Sequence, residues 1–268
     1  MNESRINNDI VETIVHAKHL VAFSGAGISA ESGIPTFRDP GGLWDKFDPK
    51  EVGTTEGLFS LINKNSEKLL AFLRESFNAI RNAQPNDGHL ALSAMEKTNL
   101  LKTVITQNID NLHYEAGNTD VIELHGNLYR LNCLRCGERK KLNKNGFFKI
   151  ADEILSVDKI DIQYIISKAP RCFCGGIMRI DVVLFGESVQ DIDKAYEVAA
   201  KTDVMLVVGT SGVVYPAASV PYIAKRAGAK ILEVNYGISS FSDIADWWLK
   251  GTSATLLSSL FNEIKKII

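Results

Sequence analysis

The sequence predicts an α/β protein: a doubly wound, Rossmann-like parallel sheet with a small inserted module. Three observations predict it. Short apolar runs alternate along the chain with segments of helical spacing, the pattern of β-α-β units. The first apolar run ends in a glycine turn, Gly25-Ala26-Gly27-Ile28-Ser29-Ala30. All four cysteines fall in two close pairs within one stretch of different character, residues 130–180.

The chain has 268 residues, 45% of them hydrophobic, enough for a substantial core. Its formal net charge of -2 gives no reason to expect nucleic-acid or anionic-membrane partners. No window holds the roughly 20 apolar residues of a membrane span. Met1 to Ile10 lacks the basic start and apolar run of a secretory signal. The flanks before Val21 and after Leu257 suggest no targeting or partner domain, so the expected location is the cytoplasm.

In chain order, helical spacing over 8–18 (Ile10, Ile14, Val15) precedes a strand from His19 to Ser24. Residues 26–42, rich in Gly, Ser and Pro, read as a long loop. Helical patterns follow over 56–81 and 88–97, broken at Pro85-Asn86. Strands are expected at Leu101 to Thr106, Val121 to Leu124, Val182 to Phe185, Val204 to Val208 and Lys230 to Val234. Helices are expected at 191–200, 216–227 and from about 254. The expected division is a dinucleotide-binding domain from 1–129 and 181–268, the module 130–180, and a helical insertion near 43–85.

Gly25, Ala26 and Gly27 would let backbone approach a pyrophosphate, with the N–H groups of the next turn favouring its charge. Alone, such a turn is also compatible with a tight strand-to-helix connection. The residues after it argue against a dehydrogenase. A helix and a strand ending in an acid should follow, yet Glu31 to Gly42 reads as loop. A second strand-to-small-residue turn, Gly209-Thr210-Ser211-Gly212, and Asn235 at the end of another strand supply a plausible second half.

Thr106-Gln107-Asn108-Ile109-Asp110-Asn111 puts amides and a carboxylate at the end of a buried strand, where parallel sheets bind ligands. An Asx turn capping the next helix would use Asn108 or Asp110 equally well. Glu123-Leu124-His125-Gly126 places a histidine at another strand end, where it could act as a general base. His16 and His19 read as structural and His89 as a helix cap, leaving His113 as the one rival to His125. Cys133-Leu134-Arg135-Cys136 and Cys172-Phe173-Cys174 are thiol pairs suited to a closed, structural zinc site with no open position for chemistry.

Together these motifs resemble the sirtuin family of NAD-dependent protein deacylases, from about Val21 to Leu257. The resemblance is carried by Gly25 to Ser29, Gly33 to Arg38, Thr106 to Asp110, Leu124-His125-Gly126, the cysteine pairs, Val183 to Glu187, Gly209-Thr210-Ser211, Tyr215-Pro216-Ala217 and Val234-Asn235. It implies that Gly25, Ala26, Gly27, Ala30, Phe37 and Arg38 line the diphosphate and ribose of NAD. It implies Gln107, Ile109 and Asp110 at nicotinamide, and Gly209, Thr210, Ser211, Asn235 and Ser253 around the adenosine half. His125, Asn108 and Asp110 would be catalytic. Val183, Phe185, Gly186 and Glu187, with Val214 and Tyr215 opposite, would clamp an acyl-lysine peptide as an added strand. The implied reaction displaces nicotinamide by the acyl oxygen to give an O-alkylamidate. His125 then helps deprotonate a ribose hydroxyl, and water releases lysine and O-acyl-ADP-ribose.

Family members that prefer succinyl or malonyl groups carry Tyr-x-x-Arg, where this chain reads Ala71-Phe72-Leu73-Arg74. The resemblance therefore implies acetyl or other uncharged acyl groups. Arg74 could equally be a surface residue paired with a nearby acid. Trp247-Trp248 matches no family role and reads as packing.

Overall fold

The computed structural model describes residues 5–268. Its main sheet has six parallel strands. They are β1 (Leu20–Ser24), β2 (Leu101–Thr106), β3 (Val121–Glu123), β7 (Val204–Val208), β8 (Lys230–Asn235) and β9 (Trp247–Lys250), in the order β3-β2-β1-β7-β8-β9. A second sheet is antiparallel: β5 (Arg139–Lys141), β4 (Gly126–Cys133) and β6 (Met178–Val182), in the order β5-β4-β6. The winding of the main sheet reverses between β1 and β7. That reversal opens a crevice at the carboxyl ends of the strands.

Strands buried on both faces carry apolar side chains at every position, and β1 and β7 are buried throughout. Alternate residues supply two cores. Ala22, Val104, Leu206 and Leu232 pack under Ile10, Leu92, Met95, Leu257 and Leu260. Val21, Phe23, Ile105, Val207 and Ile231 pack under Ala195, Ala199, Val220 and Phe241. Each large side chain so buried contributes about 1.5–3 kcal/mol. Trp247-Trp248 packs as expected, Trp248 buried and Trp247 against the first core. It begins the sixth strand, with Leu232 opposite Trp247 and Glu233 opposite Trp248.

Several boundaries differ from expectation, each for a local reason. The segment 26–42 is not loop throughout: Ala26–Ser32 is a 3-10 helix, and Gly33 ends it at φ 85°. The helical run 56–81 is two helices, Thr55–Lys64 and Ser66–Asn82, because the Asn65 side chain accepts the Lys68 N–H and caps the second. The strand expected at 182–185 lies earlier, at Met178–Val182. Cuts at 130 and 180 would fall inside β4 and β6.

The helices of 43–82 and the distal part of the cysteine-bearing segment share a core. Phe47, Val52, Leu61, Leu69 and Leu70 pack with Ile160, Leu155 and Tyr164. Arg74 fastens the same seam, through carbonyls rather than an acid among the described residues. Its Nη2 donates to Leu155 O at 2.8 Å and to Val157 O at 2.7 Å. No helix of the described residues is long and apolar enough to cross a membrane.

Candidate active site

The turns after β1 and β7 touch directly. Gly27 N–H donates to Gly209 O at 2.8 Å. A Cβ on Gly27 would lie 2.7 Å from Gly209 Cα, and one on Gly25 would lie 2.8 Å from Thr210 Cβ. These glycines are therefore required first by the contact between the two turns. Gln107 bridges the same region, its N–H donating to Ser24 O at 3.0 Å and its Nε2 to Thr210 Oγ1 at 2.9 Å. Asn235 Nδ2 donates to Thr210 O at 3.0 Å. The buried acid of this half is Glu233, which accepts from Ser239 Oγ at 2.6 Å and Ser242 Oγ at 2.7 Å.

Ser29 joins the residues after β2, and the sequence reading missed it. Its hydroxyl donates to Asp110 Oδ2 at 2.7 Å and accepts from Asn108 Nδ2 at 3.1 Å. The available signal was a hydroxyl two residues past Gly27, inside the glycine turn. Asp110 is buried, and its Oδ1 accepts the Leu112 N–H at 2.9 Å. Burial pushes its carboxyl up, against the pull of these hydrogen bonds. Ile109 packs against the buried cluster that holds Leu128, Tyr129 and Phe147, and its carbonyl accepts the Leu128 N–H at 3.0 Å.

His125 lies 3.0 Å through Nδ1 from Gln107 O. A carbonyl only accepts, so the neutral ring carries its proton on Nδ1 and leaves the Nε2 lone pair free. Burial holds its pKa below 6.5, with the Gln107 carbonyl pulling the other way. His113 is no rival. It is buried, and its Nε2 lies within hydrogen-bond distance of Ser24 Oγ, at 2.9 Å. His89 closes the cap of helix Asp87–Lys97 with Asn86, and its ring lies 5.0 Å from that of His113.

These two rings set an acid limit on stability. Burial lowers His89 to about 3, with the nearby His113 adding to the effect, and lowers His113 to about 4. Above pH 6.5 both states of the chain leave these rings neutral. Below it the unfolded chain takes up protons that the folded one refuses. Stability then falls by about 1.4 kcal/mol per pH unit for each ring, down to its folded pKa. Thermal denaturation between pH 7 and pH 4 should show a shallower acid slope for His113→Asn than for the parent. Equal slopes would remove His113 from the account.

At the expected peptide clamp, Phe185 N–H donates to Gly53 O at 2.8 Å and Val183 N–H to His125 O at 3.0 Å. Gly186 is exposed at φ 90°, with nothing within 4 Å of where a Cβ would stand. Glu187 turns inward, accepting from Arg179 Nη2 at 2.6 Å and from Leu184 N–H at 2.9 Å. Arg179 holds its carboxyl below the usual range. Its carboxylate is thus committed within the protein. Val214 and Tyr215 lie in the loop after β7, Tyr215 well exposed. Phe37 and Phe185 meet through Trp44, with ring centroids 5.0 and 6.4 Å from its own. Arg38, next to Phe37, is exposed, and so is Ala30 in the 3-10 helix. Ser211 O accepts the Ser240 N–H, and Ser253 is buried where helix Ser253–Ile264 begins, with Glu31 accepting the Ala254 N–H at 2.7 Å.

The four cysteine Sγ atoms lie within 4.8 Å of one another. Cys133 and Cys174 are 3.5 Å apart, and Cys136 and Cys172 are 3.7 Å apart. Tetrahedral zinc with Zn–S of about 2.3 Å requires S···S near 3.8 Å, so the cluster fits the ion. Arg135 N–H and Gly176 N–H, each 3.4 Å from a sulfur, suit thiolates.

Residues 25–216 match the Sir2 family model. An NAD-dependent protein deacylase of Desulfosudis oleivorans is 43% identical, over 100% of this chain and 98% of its own. An NAD-dependent protein deacetylase of Caldivirga maquilingensis is 42% identical, over 95% and 92%. A solved Sir2 homologue in complex with NAD superposes with a TM-score of 0.80 at 35% identity, over 99% of this chain and 96% of that one. A Sir2 structure with p53 peptide and NAD gives 0.75 at 30% identity, over 96% and 97%. With a family model covering most of its length, relatives covering nearly all of it and the same fold in solved members, the chain belongs to the Sir2 family, the sirtuins.

Proposed function

We infer that His125 is the general base of an NAD-dependent protein-lysine deacylase, working at the crevice between β1, β2 and β7. The observation that carries this is the His125 Nδ1–H bond to Gln107 O, which frees Nε2 to accept a proton. The protein removes acyl groups from lysine side chains, giving nicotinamide and O-acyl-ADP-ribose. Bound NAD supplies a ribose carbon from which nicotinamide departs. Ser29 fixes Asn108 and Asp110 relative to each other, so both can orient the nicotinamide amide. The 3-10 helix from Ala26 and the turn at Gly209-Thr210 hold diphosphate and adenosine through backbone N–H groups and the Ser211 and Asn235 side chains. Residues Val183 to Gly186 and Val214-Tyr215 present backbone to an extended acyl-lysine peptide, whose acyl group enters beside Phe185. The four cysteines hold zinc, which supplies rigidity to the antiparallel sheet. Thiolate ligands suit the reducing cytoplasm.

The acyl preference is for acetyl and other uncharged groups. Arg74, the residue that could receive an acyl carboxylate, already serves two carbonyls, and Ala71 stands where a tyrosine would. A panel of acyl-lysine peptides with NAD, read by mass spectrometry, tests this. Acetyl peptide should yield free lysine and O-acetyl-ADP-ribose, with succinyl peptide at least about tenfold slower. Nicotinamide release at an equal rate without peptide would instead indicate NAD hydrolysis. Metal analysis should find about one zinc per chain.

A further inference from the structure

Two buried carboxylates bracket the turn that carries His125. Glu123 ends β3 two residues before it. Asp181 lies on β6 opposite Asn127, and the next residue, Val182, pairs with Gly126. Both are nearly inaccessible, Glu123 at 6% and Asp181 at 2%. One cation reaches both. Arg130 Nη1 donates to Glu123 Oε2 at 2.9 Å, and its Nε donates to Asp181. Gln190 Nε2 also donates to Asp181 Oδ1, at 2.8 Å.

Asn127 completes the network. Its amide donates to the Glu123 carboxylate and, at 3.0 Å, to Asn111 Oδ1, while its own oxygen accepts the Tyr129 N–H at 2.7 Å. Asn111 directly follows Asp110. A continuous chain of side chains thus ties the Asp110 turn to both sides of the His125 turn. Without Arg130 the buried Glu123 would lose the cation paired with it, and Asp181 would keep Gln190 and the longer contact of an exposed side chain, Arg139 Nε at 3.5 Å, so the turn would loosen to admit water or protons.

We propose that Arg130 is a positioning residue for the deacylation step: through Glu123 and Asp181 it holds the His125–Gly126 turn against β6, so that His125 Nε2 keeps its direction. This rests on the reading of His125 as base. A purely structural ion network would affect every step of turnover alike. A positioning role affects only the step that needs the imidazole.

The test uses the full zinc-loaded chain with three variants: Arg130→Met, Arg130→Lys, and Glu123→Gln/Arg130→Met/Asp181→Asn, which removes the charges together. Nicotinamide leaves before the step given to His125. Exchange of labelled nicotinamide into NAD, with acyl peptide present, therefore reports upstream of it, and free lysine peptide reports downstream. The imidazole 15N signals of His125, recorded without NAD, report the ring itself. In Arg130→Met, exchange should stay within about twofold while peptide product falls about tenfold and the His125 signals move. Arg130→Lys should recover at least half the product rate. Equal loss in exchange and product, unmoved His125 signals, or unchanged product each overturns the proposal. If Arg130→Met does not fold, the triple variant is judged by the same criteria. His125→Ala separates the two readings. Product formation by His125→Ala removes the base itself, whereas an inert His125→Ala beside normal Arg130 variants removes only the positioning role.

Discussion

Replacing His125 with alanine is expected to lower acyl-peptide-dependent product formation by about 10²–10⁴-fold, the range for losing a positioned general base. The fold should survive. The imidazole is partly exposed and makes a single hydrogen bond, to Gln107 O, so little packing is lost. The measurement is O-acyl-ADP-ribose formed at saturating NAD, together with the melting temperature. A rate within threefold of the parent would end the assignment. The pH profile carries a second check. Burial lowers the pKa of His125, so the ring stays neutral and able to accept a proton somewhat below pH 6.5. The acid limb of kcat/KM should therefore lie below 6.5, with activity lost as pH falls through the lowered value.

Gly126→Ala is expected to be the most damaging single methyl group in the molecule. Gly126 has φ 82°, and a Cβ there would lie 1.9 Å from Asp181 O and 2.9 Å from Asp181 C. Those are backbone atoms of the paired strand, which can yield only by breaking the Gly126–Val182 pairing. The left-handed conformation costs about 1–2 kcal/mol and overpacking about 1–3 kcal/mol more. A loss of about 2–5 kcal/mol corresponds to a melting temperature lower by about 4–10 °C in a chain of this size. Gly186→Ala is the control. Gly186 has a similar φ of 90° but open space around it, so only the conformational part should appear. Equal melting temperatures for the two variants would show that the Asp181 contact is not what requires glycine at 126.

The pairing of His125 with Gly126 was legible as a motif, but its reason was not. The glycine answers to β6, which lies some 50 residues away in the chain. The same division runs through the molecule. β1, β2, β7 and β8 were readable because strands buried on both faces are dominated by apolar residues, with few polar positions among them. β5 is three exposed basic residues held by pairing with β4, and no periodicity announces it. β9 is four residues long, and its tryptophans read as generic packing until β8 lies beside them. Helix Lys144–Leu155 does carry helical spacing in Phe147, Phe148 and Ala151, which the cysteine framework overshadowed. At the site, strand-end placement made Asp110 and His125 candidates. The hub role of Ser29 and the inward turn of Glu187 toward Arg179 depend on contacts between distant segments, which local pattern does not encode.

The contact between the two glycine turns has a consequence for how this protein tolerates change. Gly25, Gly27 and Gly209 occupy one shared gap, closed from both sides. The first methyl group placed there must wedge the turns apart, and a second would enter space already opened. Losses at these three positions should therefore fall short of their sum. The first substitution is the main barrier for a mutating lineage, and the three positions behave as a single heritable unit.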